Sequence, residues 1–207
     1  MKKLFIDLGA GLGGASEAFI ECENWEVLRF DIAEEVKDVQ NMHLVDYVNN
    51  TSKVIDMIRN KMHDLNIDES SLYIWASPEC KEWSNGFNSK KCKMRRKGET
   101  FVPDLTQVTA VRHIVEVLKP RVWILENVKG GLEFINTILG PPATFRNPVY
   151  LWGDFPLFRI PKNPAKKTDL GPSKMRYWIR SKIDIGLSRS MKRAFENQTT
   201  VYDFFME

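Results

Sequence analysis

Apolar residues fall along this chain in two alternating rhythms. Short, nearly unbroken apolar runs recur at residues 4–8, 27–30, 43–45, 72–76 and 122–125, each bounded by polar or glycine-rich sequence. Such runs are the mark of strands buried on both faces. Between them the spacing changes to threes and fours. Val54, Ile55, Ile58, Met62 and Leu65 make a helical stripe over residues 53–65. Val108, Val111, Val115 and Leu118 make another over 105–118, which Pro120 ends. A shorter helix is expected over 15–21, and a long polar loop from Ser77 to about Pro103. Strand–helix alternation of this kind predicts an α/β fold built on a doubly wound, mostly parallel sheet.

The rhythm breaks at Pro141. Prolines at 141, 142, 148, 156, 161, 164 and 172 predict an irregular segment, and helical order returns within 183–195. The expected organisation is a core over residues 1–140, a reduced irregular segment over 141–182, and a C-terminal helix within 183–207 that returns to the core. A chain of 207 residues can bury one substantial core. Its net charge of +3 is small, so where the charges sit matters more than their sum. Cys22, Cys80 and Cys92 show no CxxC spacing, and His43, His63 and His113 are scattered. A metal site and a disulfide framework are therefore not expected, and a reducing cytoplasmic setting is. Asp7 interrupts the opening apolar run too early for a signal peptide, and no apolar stretch approaches membrane-spanning length.

Three stretches carry candidate chemistry. The first is the loop Asp7-Leu8-Gly9-Ala10-Gly11-Leu12-Gly13-Gly14 between the first strand and helix. Glycines there let a ligand approach the backbone and the helix N-terminal amides. Gly9, Gly11 and Gly14 fit a GxGxxG pattern, with Asp31 at the end of the next strand where a ribose-binding acid belongs. Alone, this suits NAD, S-adenosylmethionine, or a glycine turn without a ligand; the acidic Asp7 inside the strand leans toward S-adenosylmethionine. The second stretch is Ser77-Pro78-Glu79-Cys80-Lys81-Glu82-Trp83-Ser84, and the third Glu126-Asn127-Val128. Both follow strands, so a thiol and a carboxyl group can meet at the mouth of the sheet, as nucleophile and acid.

Phe5-Ile6-Asp7-Leu8 with Ala10-Gly11-Leu12-Gly13-Gly14, then Pro78-Glu79-Cys80 with Ser84, then Leu125-Glu126-Asn127-Val128-Lys129 occur in that order. Over residues 3–131 the chain resembles the C5-cytosine DNA methyltransferases, especially the compact phage and prophage type. The resemblance implies a Rossmann-like, class I S-adenosylmethionine-dependent fold acting on double-stranded DNA with a flipped cytosine. It implies Cys80 as the nucleophile at C6 and Glu126 as the acid at N3, with Asn127 and Pro78 shaping the pocket. It implies a cofactor site of Asp7, Leu8, Gly9, Gly11, Gly13, Gly14, Asp31 and its neighbour Ile32, Asp46, Pro78 and Leu105. Asp31 would take the ribose hydroxyls, Asp46 the adenine amino group, and Leu105 would line the site.

The chain also departs from the family. Gly9 stands where a Phe usually stacks on adenine, and Glu79 where a Pro or small residue is usual. Neither Gln-x-Arg-x-Arg nor Gly-Asn-x-Val-Pro is present; Arg146 stands in for the former. The recognition region shrinks to roughly residues 144–180, which leaves open a second subunit that completes it. A basic run (Lys90, Lys91, Lys93, Arg95, Arg96, Lys97) reads as phosphate-contacting in company with Ser84 and Arg146, or as a solvated loop. A second basic and aromatic cluster spans Lys174, Arg176, Tyr177, Trp178, Arg180 and Lys182. Alternatives are a tRNA-type cytosine methyltransferase, a non-catalytic cofactor- or nucleic-acid-binding protein, and an NAD-dependent oxidoreductase. The last leaves Cys80 and Glu126 without a role.

Overall fold

Successive side chains of a strand point to opposite faces, and β1 (Lys3–Leu8) buries apolar residues on both. Leu4, Ile6 and Leu8 join one buried cluster and Phe5 another, so the strand must be covered on both sides. The computed structural model, which describes residues 1–81, 83–87, 89–161 and 175–197, provides that cover. β2 (Trp25–Asp31), β3 (Met42–Leu44), β4 (Leu72–Ala76), β5 (Val122–Asn127), β6 (Thr144–Arg146) and β7 (Val149–Asp154) complete a sheet of order β3-β2-β1-β4-β5-β7-β6. The first five strands are parallel, and β7 runs antiparallel to both β5 and β6. This is the Rossmann-like, doubly wound, mostly parallel sheet that the pattern predicts.

The helices divide between the two faces. The stripes of α2 (Thr51–Leu65) and α4 (Thr106–Leu118) lie over Leu4, Ile6, Leu72, Ile74 and Leu125, together with Ile135 of α5 (Leu132–Leu139). On the other face, Phe19 of the single-turn helix α1 (Glu17–Ile20) stacks on Phe5 at 4.2 Å between ring centroids. Leu187, Met191 and Phe195 of α7 (Ile185–Glu196) finish that layer. The remaining helices are α3 (Lys90–Arg96) and α6 (Arg176–Ser181).

The structure differs from the sequence pattern in five places, one of them α6, a helix within the segment expected to be irregular. Residues 144–154, expected to be irregular, are two strands of the sheet: prolines 142 and 148 flank them, and Val149-Tyr150-Leu151-Trp152 has the β-rich composition of a strand. The polar loop after Cys80 contains α3, capped by the Ser89 side chain accepting from the Cys92 amide. α5 follows Gly131 directly and was not anticipated. Glu126 and Asn127 lie within β5, paired with Leu151 and Tyr150, and not beyond its end. Among the described residues no helix is long and apolar enough to cross a membrane, and no cluster of three or more His, Cys, Asp or Glu could hold a metal ion.

The chain steps outward from β1 to β3, then returns to β4 on the other side of β1, so the direction of winding reverses between β1 and β4. Sheets of this kind open a crevice at the carboxyl ends of the strands there. The glycine loop leaves β1 and the cysteine loop leaves β4, with Leu8 and Ala76 paired at the rim. Further along the sheet, Gly153 adopts φ +136 opposite Ile124, where an added Cβ would run into the Trp123 carbonyl. Gly153→Val is expected to cost about 2 kcal/mol or more through this clash and the backbone strain. Urea denaturation measures it, and an unchanged midpoint would show that β7 yields to the side chain.

Candidate active site

The crevice holds a cavity of ≈ 810 Å³, a size typical of small-ligand sites. One end is walled by Asp7, Gly9, Gly11, Asp31, Ile32, Asp46, Tyr47 and Val48, the other by Ser77, Pro78, Glu79, Cys80, Glu126 and Asn127. Arg146 lines it from β6, and Tyr177, Trp178 and Arg180 of α6 form a third wall. The strand ends thus bring the glycine loop, the thiol and the carboxyl group into one space.

The glycine loop is shaped by carboxylates. Asp31 Oδ2 accepts the Gly11 amide at 2.9 Å, while its Oδ1 accepts the amides of Ile32 at 2.8 Å and Ala33 at 3.0 Å. Ile32 then lies in the cavity wall with 66% of its surface exposed among the described residues. Asp7 is buried beneath the loop and accepts from the Ser16 hydroxyl at 2.6 Å; that hydroxyl in turn accepts from Arg29 Nε at 2.8 Å. Burial pushes the Asp7 carboxyl up to about 6, against the opposing pull of the Ser16 bond and the Arg29 charge. Asp46 is held by the Val48 and Asn49 amides at 2.9 and 3.1 Å, and these bonds, with the Asn49 side chain, lower its pKa against the upward push of desolvation.

Gly9, with φ +69, faces the Ser77 carbonyl, which would stand 2.6 Å from a Cβ. A phenylalanine does not fit this backbone, which explains the glycine at that position. Gly13 and Gly14 serve packing and do not line the cavity: Gly13 abuts the Arg29 guanidinium and Gly14 the backbone of Ile183. Leu8 lies in the core. Leu105, expected in the cofactor wall, packs against the core beside α4 instead. Gln107, two residues on, takes the place at the cavity; its Oε1 accepts the Tyr47 hydroxyl at 3.1 Å and the Glu79 amide at 2.8 Å.

At the other end the Asn127 side chain is fully committed. Its Oδ1 accepts from Trp83 Nε1 at 2.9 Å and the Val128 amide at 2.8 Å, and its Nδ2 donates to the Pro78 carbonyl at 3.0 Å. It therefore positions the cysteine loop. Gly130 presses against the Trp83 carbonyl and leaves no room for a side chain there.

Trp75 Nε1 donates to Ser77 Oγ at 2.7 Å, and Ser77 is hydrogen-bonded to Glu126. Burial raises the Glu126 carboxyl to about 7 against that bond, well above the ordinary carboxylate range. The Cys80 thiol is pushed up to about 11, first by burial and then by the Glu126 charge. A protonated Glu126 removes the second cause.

No protein-family model matches the chain, and no curated protein matches it. A solved structure does. The Entamoeba histolytica methyltransferase EhMeth aligns over 74% of this chain at 19% identity with a TM-score of 0.41, and the chain spans about half, 53%, of that protein.

The basic run sits outside the cavity on α3. Lys91 is turned inward: it pairs with Glu133, donates to the Gly130 carbonyl at 3.2 Å and lies 5.2 Å from the Phe134 ring centroid. That withdraws it from the phosphate-contacting set. Arg96 stacks on Phe87 at 3.8 Å, and Lys90, Lys93 and Arg95 are exposed. Ser84 holds the loop through its backbone, its amide donating to the Cys80 carbonyl at 2.9 Å. Arg146 lines the cavity and donates to the Ile160 carbonyl at 2.9 Å. Lys174 lies outside the described residues. Tyr47 and Gln107 were missed in the sequence because they bond to each other across 60 residues of chain; Ser77 lay in a quoted stretch but was given no role.

Two measurements check this geometry. Asn127→Leu strands the Trp83 and Pro78 groups, so a loss of about 2–4 kcal/mol is expected in urea denaturation, with faster hydrogen exchange at the Ser84 amide. For Glu126, the folded value near 7 lies above its ordinary 4.5, so the fold favours the protonated form. Its contribution to stability is whole below about 4.5 and is lost as pH rises through about 7. Glu126→Gln cannot ionise, so its thermal midpoint should gain on the native protein between those values. A constant gap across that range would sink the assignment.

Proposed function

We propose that this protein is a methyltransferase that uses S-adenosylmethionine to methylate C5 of a cytosine flipped out of DNA. The observation that carries the reading is the convergence of Cys80, Glu126 and the glycine loop with Asp31 in one cavity at the switch point of the sheet. The residues lining the cavity fit the cofactor: the Gly9 and Gly11 backbone, the Asp31 carboxylate at the end of β2, and the exposed Ile32 face. When bound, the cofactor supplies an electrophilic methyl group.

Cytosine C5 is a poor nucleophile until something adds to C6. Cys80 adds there as the thiolate, while the Glu126 proton is given to N3, so the ring's developing charge is neutralised as the C–S bond forms. The electron pair then resides at C5, which takes the methyl group. Loss of the C5 proton to solvent and departure of the Cys80 sulfur as thiolate restore the aromatic ring, and the N3 proton returns to Glu126. Asn127 keeps the Cys80 loop and the Glu126 strand in fixed relation throughout. The exposed cations of α3 supply sequence-independent phosphate contact.

The test is a covalent trap. Duplex DNA carrying 5-fluorocytosine in mixed sequence, with S-adenosylmethionine, is expected to give a denaturation-resistant adduct. Fluorine at C5 cannot leave as a proton, so Cys80 stays bonded to C6. The adduct should vanish in Cys80→Ala and fall at least about 100-fold in formation rate in Glu126→Gln, on the scale of a lost general acid. An adduct with the matching RNA and none with DNA would replace the DNA reading. No adduct with either would overturn methyl transfer by this route.

A further inference from the structure

The residue beside the proposed nucleophile is an acid, and an acid there opposes thiolate formation. The fold answers this with groups from two elements. Lys81 Nζ lies 2.7 Å from Glu79 Oε1, and the Tyr177 hydroxyl of α6 donates to the same oxygen at 3.1 Å. Lys81 also stands 4.1 Å from the Tyr177 ring centroid, so the three side chains close on one another. Gln107 fixes the Glu79 backbone from α4. The next residue of α6, Trp178, covers Gly11 with ring atoms 3.6 Å from the position of an added Cβ. One short helix therefore touches both the cysteine loop and the glycine loop.

We propose that Tyr177 and Lys81 are positioning residues that anchor the Glu79 carboxylate to α6 and cancel its charge, so that Cys80 can ionise beside it. The proposal rests on reading Cys80 as the nucleophile, but not on the substrate or the methyl donor. The charged groups that bear on Cys80 are Glu126 from β5 and Glu79 and Lys81 from its own loop. Tyr177 itself faces Glu79, Cys80 and Asp31. Arg146 and Arg180 line the same cavity. Of these, Glu79 and Lys81 adjoin Cys80 in sequence, and Tyr177 is the outside group bonded to that pair. A negative charge left unpaired here would slow every step that needs the thiolate.

Alkylation of Cys80 by iodoacetamide, followed peptide by peptide by mass spectrometry across a pH series, tests this without any methyl transfer. Glu79 and Lys81 have side chains 43% and 61% exposed, so their variants should fold. Lys81→Met and Tyr177→Phe are each expected to slow alkylation near pH 8 by about threefold, and Glu79→Gln to speed it similarly, the scale of a partly exposed ion pair. In the Glu79→Gln background, Tyr177→Phe should then change the pH profile little, while Lys81→Met keeps the part of its effect that its charge exerts directly on Cys80. Equal effects of Tyr177→Phe with and without Glu79 would overturn the proposal, as would profiles unchanged in all three single variants. A failed fluorocytosine trap with these alkylation shifts intact would reject the function and leave the electrostatic arrangement standing.

Discussion

The buried amide of Asn127 is the interaction on which the site depends. β4 and β5 are neighbours in the sheet, but their pairing ends at Ala76 and Leu125, before either candidate reacting group. Beyond that point backbone pairing no longer relates the two chains. Asn127 replaces it with three hydrogen bonds, to Pro78, Trp83 and its own strand's continuation at Val128. An amide is suited to this work because it offers a donor and an acceptor a short distance apart. A carboxylate would lack the donor to Pro78, and an apolar residue would strand both partners. The Trp83 indole, 2% exposed, then buries the loop against Gly130 and Gly131. Rigid placement of a thiol opposite a carboxyl group follows from a side chain that need not touch a substrate.

Electrostatics at the two ends of the cavity have opposite characters. At the glycine end, Asp31 spends both oxygens on backbone amides and shapes the loop, while Asp7 is sealed below it. At the cysteine end, burial works against ionisation of both Cys80 and Glu126. Each group therefore favours its neutral form in the free protein.

The sheet core was legible because burial on both faces forces unbroken apolar runs, as in Leu4-Phe5-Ile6 and Leu72–Ala76. α2 and α4 were legible through stripes long enough to show a period. β6 and β7 were hidden by prolines that bound the strands without interrupting their pairing. α3 was hidden by its polarity, since a helix of Lys90–Arg96 with no buried residue has no stripe to read. In the site, Cys80, Glu126 and Asp31 could be found because each follows or ends a strand. The parts that could not be found share one trait. Gln107 and Tyr47 reach the cavity from elements far away in the chain, and only tertiary contact brings them there; Tyr177 stood out in the sequence only as part of a basic and aromatic cluster, without a tie to Glu79.

The close approach of Gly9 to Ser77 has a further consequence for how this chain can change. Position 9 closes β1 and Ser77 follows β4, so one van der Waals distance couples the two loops that define the cavity. A single substitution that restored a side chain at position 9 would push the Ser77 carbonyl outward, and with it the hydroxyl that links Trp75 to Glu126. The route back to an aromatic wall at that point is therefore closed to one-step mutation, and any improvement in ligand contact must come from elsewhere in the lining. Ile32 and Trp178 also line the cavity, and variation there can act away from the contact between Gly9 and Ser77.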